Sequence, residues 1–209
     1  MIDTTMLGLF LTAAIVLAVT PGPGIFYVLT RSLKGGRADG FASSIGTAIG
    51  GYAHVVAAAL GVSAILATSS IAFAIVKYAG ASYLIYLGVR TLMSGDRPLV
   101  DVESSTSTAL DAFRHGIVTE LLNPKTALFF LAFIPQFIDP NENVVLQFML
   151  LGSISVFLNT SADIGVALLA GPIGEWMQHN ARFQRRQRLF TGWSLIGLGA
   201  YVAVADNQR

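Results

Sequence analysis

The chain has 209 residues, 54% of them hydrophobic and 12% charged, with a net charge of +1 and a mean hydropathy of +0.65. Soluble domains carry roughly 25% charged residues, so this composition excludes a soluble enzyme and a disordered chain. A net charge this small, with no clustered basic face, also argues against a nucleic-acid binder.

Asp, Glu, Lys and Arg are missing from Thr4 to Thr30, from Gly40 to Val76, from Asn143 to Ala162 and from Leu189 to Ala205. An apolar helix of about 20 residues crosses the ~30 Å hydrocarbon core of a bilayer. The alternating pattern of barrel strands is absent, so the spans must be helical. The prediction is an all-α membrane protein with six spans: about Met6–Thr30, Phe41–Ala67, Ile71–Met93, Phe113–Phe137, Val144–Ala170 and Leu189–Ala205. One transmembrane domain, 1–209, accounts for the whole length. Met1 to Thr5 holds an acid and no basic n-region, which predicts a retained first span rather than a signal peptide.

The first span is interrupted near its end by Thr20-Pro21-Gly22-Pro23-Gly24. Each proline lacks an N–H and clashes with the preceding turn, so a regular helix stops there. The second span carries small residues every four positions, Ala42, Gly46, Gly50 and Ala58, with His54 in the same register and Gly61 beyond. That spacing predicts close helix contact. His54 reads equally as a proton relay or as an interhelical hydrogen bond. The third span follows after only Thr68-Ser69-Ser70, which predicts a tight antiparallel hairpin, with Lys77 snorkelling to the interface. A polar connection with the tract Ser104-Ser105-Thr106-Ser107-Thr108 then forms a flexible linker, about 94–112.

The fourth span is broken about midway by Leu122-Asn123-Pro124-Lys125, and Glu120 lies five residues before Lys125. On the fifth, Ser155, Asn159 and Asp163 form one polar stripe. A charge at bilayer depth costs on the order of 2.5–3.5 kcal/mol, so Glu120, Lys125 and Asp163 should face the bundle interior and be paired. They serve either as structural partners or as a substrate and coupling site. Before the last span, Arg182, Arg185, Arg186 and Arg188 read as a topology determinant, and His179 as a solvated loop residue. With Arg31, Lys34, Arg37, Arg90, Arg97 and Arg114, they place three connections in the cytoplasm and both termini outside.

Pro21 and Pro124 stand 103 positions apart, each ahead of an aromatic pair, Phe26-Tyr27 and Phe129-Phe130. Two halves of three spans, about 1–93 and 113–209, then run in opposite directions, as in an inverted-topology repeat whose broken helices mark a site between the halves. A break frees backbone groups that lipid cannot satisfy, and a freed helix N-terminus attracts a carboxylate.

Together these residues resemble the LysE/RhtB family of amino-acid exporters, typified by lysine exporters and homoserine/threonine efflux proteins. The matching stretches are Thr20-Pro21-Gly22-Pro23, the ladder ending in His54 and Gly61, Gly80 to Arg90, Phe113 and Gly116, Asn123-Pro124-Lys125, Pro135-Gln136-Phe137, and Gly192 with Leu195 to Gly199. The resemblance covers essentially the whole chain. It implies a six-span fold of two inverted repeats in the bacterial inner membrane. It also implies export of an amino acid or close derivative against an ion gradient, with protons as the coupling partner and no cofactor. The family's motif residues fall here on Pro21, Gly22, Pro23, Asn123, Pro124 and Lys125, and its acidic position on Asp163.

The predicted mechanism is alternating access around a midplane site. Thr20, Pro21, Gly22, Pro23, Asn123, Pro124, Lys125 and Asn159 bind substrate there, and Asp163, Glu120 and His54 take the ammonium or the proton. Export of a metal or other cation is the competing transport reading, against which the histidines are scattered without ligand spacing. A membrane-embedded enzyme would need a nucleophile–base pair that no motif supplies. A passive structural subunit would gain little from buried charges. The small-residue faces serve packing within one chain or within a homo-oligomer, surrounded by the lipid bilayer.

Overall fold

The computed structural model describes residues 4–94 and 108–205. The linker tract Ser104–Ser107, the terminal residues and the His179 side chain lie outside the described residues. Every element is helical: α1 Thr4–Val19, α2 Pro23–Thr68, α3 Ser70–Met93, α4 Ala109–Leu121, α5 Pro124–Leu128, α6 Val144–His179 and α7 Ala181–Val204. Between α5 and α6 the helix continues as a π-helical stretch, Phe129–Phe133, and a 3-10 turn, Ile134–Phe137.

Local chemistry sets these boundaries. Pro23 and Pro124 each open a helix, at a position whose N–H would have no intrahelical acceptor. Thr108 and Asp111 form a capping box at the start of α4, and the Asn180 side chain accepts from Phe183 N at the start of α7. The 46 residues of α2 are two rods, 23–35 and 37–68, joined at Gly36 with φ +72°, a conformation that favours glycine. Beside it, a Cβ on Gly35 would stand 2.1 Å from the Asp39 carboxylate. That carboxylate meets Arg31 Nη2 at 2.6 Å, and the same nitrogen donates to Thr108 O at 3.2 Å. Arg31 is therefore a buried clasp between the two rods and the start of α4, where the sequence alone had it as a loop charge.

Among the described residues, three helices are long and apolar enough to cross a membrane: Pro23–Ile65, Ile71–Met93 and Val144–Gly171. The pair Ala109–Leu121 and Pro124–Phe137, bent by 46° at the break, is apolar enough to count as a fourth when taken as one broken span. Of the six expected spans, the first is divided at Thr20–Gly22, so that α1 alone is short. The last sits on a helix whose opening turns carry the arginines. The side chains facing outward are apolar, among them Ile45, Ile49, Val56 and Leu60 on α2 and Leu146 and Phe157 on α6. That is the surface of a protein solvated by lipid.

Two glycine seams hold the bundle. On α2, a Cβ at Gly46 would meet Phe113 O at 2.2 Å, and one at Gly50 would meet Ile117 O at 2.9 Å; both contacts are with α4. Gly88 of α3 and Gly192 of α7 each face the other's carbonyl, at 2.7 and 3.0 Å from an added Cβ. The expected ladder thus does bring helices close, although Gly61 has nothing within 4 Å. The expected hairpin is tight only at its turn, where Ser69 ends α2 and caps α3. Beyond it, α3 packs mainly on α7, and α2 on α4 and α6. Lys77 does not snorkel: it is 6% exposed and donates to Ala205 O at the end of α7.

Candidate functional site

The first break leaves Thr20, Pro21 and Gly22 outside any helix. The last carbonyls of α1 lose their intrahelical donors there. Lys125 supplies a donor from the other half of the chain, its Nζ donating to Thr20 O at 2.9 Å and to Leu17 O at 3.1 Å, which also accepts from Thr20 N at 3.2 Å. The Thr20 hydroxyl turns back to Val16 O at 2.5 Å. Gly22 makes room, since a Cβ there would stand 3.2 Å from Lys125 Cε and Nζ. On the far side of the break, Pro23 has no N–H. The amides of Gly24 and Ile25 are therefore free donors in the first turn of α2.

The second break is built around Glu120. Its Oε2 accepts from Asn123 Nδ2 at 3.0 Å and its Oε1 from Thr126 Oγ1 at 2.6 Å. Asn123 Oδ1 accepts from Lys125 N at 3.1 Å and so caps α5. Glu120 O, which accepts from Asn123 N at 3.0 Å at the end of α4, also lies 2.9 Å from His54 Nε2, which must carry the proton to donate to a carbonyl. The imidazole also stacks on Phe130, centroids 6.4 Å apart. Gly24 approaches so closely that its Cβ would lie 2.8 Å from Glu120 Oε2.

Glu120, Asn123, Lys125, Asn159 and Asp163 line one cavity, together with Gly24, Ile25, Thr47 and Thr126. Asp163 Oδ2 accepts from Thr47 Oγ1 at 2.8 Å, and Asn159 Nδ2 donates to Ser155 O at 3.1 Å. The cavity is about 20 Å³, room for one water and too little for an amino acid. Glu120, Lys125 and Asp163 are 5–7% exposed. Among the described residues no carboxylate reaches Lys125 Nζ within 4 Å, so the expected charge pairing is replaced by backbone carbonyls. Pro21, Gly22 and Pro23 shape the break behind Lys125, Pro124 starts α5, and His54 stands behind the Glu120 backbone rather than in the cavity.

Sequence reasoning did not single out Thr47, Thr126 or the Gly24 and Ile25 amides as site groups. Thr47 could have been found from its register, since positions 47, 50 and 54 share a helix face with the glycine ladder.

On the other side of α1 lies an apolar cavity of about 300 Å³ between α1, the π-helical and 3-10 segments and α7. Its lining includes Leu17, Thr20, Phe133 and Tyr201.

A sequence model of the LysE type translocator family matches residues 15–206. The homoserine/homoserine lactone efflux protein of Salmonella typhi is 29% identical over 196 residues, covering 94% of this chain and 95% of that protein. An uncharacterized membrane protein of Vibrio cholerae is 32% identical over 198 residues, covering 94% and 95%. A Bacillus subtilis protein of the same description is 31% identical over 199 residues, covering 91% and 94%. No solved structure matches the chain.

Proposed function

Since the chain belongs to the LysE type translocator family, a family of membrane transporters rather than enzymes, we propose that it exports an amino acid or a close derivative such as homoserine. The observation that carries this reading is the meeting of two broken helices around Glu120, Lys125 and Asp163, all buried at one cavity. The efflux relatives support the substrate class.

In this reading the chain is one transmembrane domain of six spans in two inverted repeats, with both termini outside the bacterial inner membrane. Substrate binds between the repeats and crosses by alternating access. Its carboxylate meets the first-turn amides of α2 beside Lys125, where the helix end is positive. Its ammonium meets Asp163 and Glu120, with Asn159 as a further polar contact. The carboxyl groups suit a cation, and the first-turn amides suit an anion. A proton moving inward drives the cycle. The 20 Å³ cavity corresponds to a closed stage of it.

Inside-out vesicles with an acid interior test the reading. Vesicles carrying the chain should accumulate labelled L-homoserine, L-threonine or L-lysine, one class above the others. Asp163→Asn and Glu120→Gln should each lower the rate by about tenfold or more, the loss of one charged contact being about 1.5–3 kcal/mol. If both variants keep full transport, the substrate site lies elsewhere. If no amino acid accumulates, the export reading is wrong.

A further inference from the structure

We infer that Lys125 is the proton carrier of this exporter, and that the carbonyls of Leu17 and Thr20 form the cation site its ammonium fills, making transport proton-coupled and sodium-independent. The inference rests on the export reading above and assigns its coupling group. Transporters with discontinuous helices commonly bind their coupling cation on unwound carbonyls and half-helix C-terminal ends. Here those carbonyls are both engaged by Lys125 Nζ, at 3.1 and 2.9 Å, so a covalently attached cation occupies the place of a free one.

The other ionisable groups are held differently. Glu120 takes both its donors from its own break, Asn123 and Thr126. Asp163 is held by Thr47, and His54 by the Glu120 carbonyl. Glu120, Thr47 and His54 belong to α2 and α4, which the glycine seam locks together. Lys125 alone among them ties one broken helix to the other. Loss of its proton removes a charge and a donor, and the negative end of α1 loses its counter-charge.

The freed end of α1 has space to move into, because the apolar cavity of about 300 Å³ is bounded by Leu17 and Thr20. With the proton on Nζ, α1 is pinned and the substrate cavity stays at about 20 Å³. With the proton gone, the two breaks part and substrate enters. Proton-loaded and substrate-loaded forms then exclude each other, which is the logic of antiport. Each cycle takes one proton from outside onto Nζ and releases it to cytoplasmic water. Glu120 of α4, Asn123 and Thr126 of α5, Asn159 and Asp163 of α6 and Thr47 of α2 share this cavity with Lys125. Among the described residues neither carboxyl group forms an ion pair with Nζ.

The chain has no cysteine, so a single thiol reports cleanly. Ala48 lines the cavity, and Ala48→Cys in the full chain, reconstituted in liposomes, is labelled with a cationic methanethiosulfonate. Rates are compared from about pH 6 to about pH 10, a range in which both thiols and a buried amine titrate. In the Lys125→Arg background the guanidinium stays charged, and labelling should rise only with the thiolate fraction. With Lys125 present, labelling should match that background at low pH and exceed it by about tenfold at high pH, a shift of one decade in the open population. Lys125→Met should exceed the Lys125→Arg background at every pH, with the same thiolate slope. A pH response in Lys125→Met steeper than that of the Lys125→Arg background, or no excess of the Lys125 chain over Lys125→Arg at high pH, overturns the inference. A second measurement needs no variant: replacing sodium by choline should leave proton-driven L-homoserine uptake unchanged, and a sodium requirement overturns the inference. A pH response in labelling without transport of any amino acid would reject the export reading and leave the switch standing.

Discussion

Lys125 donates to the carbonyl of Thr20 at 2.9 Å, across 105 positions of sequence, and so closes the end of a helix in the opposite half of the chain. A buried ammonium needs acceptors, and a broken helix needs donors. Each therefore satisfies the other, and neither requires a carboxylate. Glu120 and Asp163 remain turned to the cavity, held by neutral donors.

Asn123 joins the two sides of the second break, capping α5 with its oxygen and holding Glu120 at the end of α4 with its nitrogen. Asn123→Ala should lower the initial rate of L-homoserine uptake in inside-out vesicles. Asn123→Asp should lower it further, because it replaces a donor to Glu120 with a second carboxylate 3.0 Å away. An Asn123→Asp rate equal to that of the unaltered chain would show that the amide nitrogen is not needed.

The glycine seams predict a graded response to one added methyl. Gly46→Ala and Gly116→Ala would force Cβ atoms to within 2.2 and 2.8 Å of carbonyls on the facing helix. Each should destabilise the chain by about 1–3 kcal/mol through overpacking. Gly61→Ala and Gly165→Ala meet nothing within 4 Å and should be neutral or slightly stabilising, by up to about 1 kcal/mol from helix propensity. Thermal unfolding in detergent, followed by size-exclusion chromatography, ranks the four.

Arg31→Met withdraws the guanidinium from a buried Asp39 carboxylate. Its cost should be about 3–5 kcal/mol, whereas replacing both partners in Arg31→Met/Asp39→Ala should cost less. The comparison is one of melting temperatures, and a double variant worse than the single would contradict a direct pairing.

Lys77→Ala leaves the last turn of α7 without its charged donor. Loss of a hydrogen bond to a charged group is worth about 1.5–3 kcal/mol. Hydrogen exchange should therefore accelerate at residues 201–205, with little change at the start of α7.

Proline and glycine announced where the helices break, because their backbone limits are local properties. The burial of Glu120, Lys125 and Asp163 was equally legible, since charge is rare in this chain. Their partners were not. The acceptors of Lys125 are backbone carbonyls, which every residue carries, so no spelling of Leu17 or Thr20 marks them. Arg31 shows the same limit: beside a turn it reads as an orienting charge, and only the left-handed Gly36 swings Asp39 back onto it. Lys77 reads as a helix-end lysine until α7 brings Ala205 to it. Register within one helix was readable from the sequence, but docking between distant helices was not.

The two seams join residues from opposite halves: Gly46 and Gly50 of α2 with α4, and Gly88 of α3 with Gly192 of α7. Neither half is a self-contained lobe, because each supplies one face of both seams. Severing the chain between Ser94 and Thr108 should therefore leave two fragments that find each other when made in the same cell. Either fragment alone would expose backbone faces with nothing to cover them, and quality-control proteases should remove it.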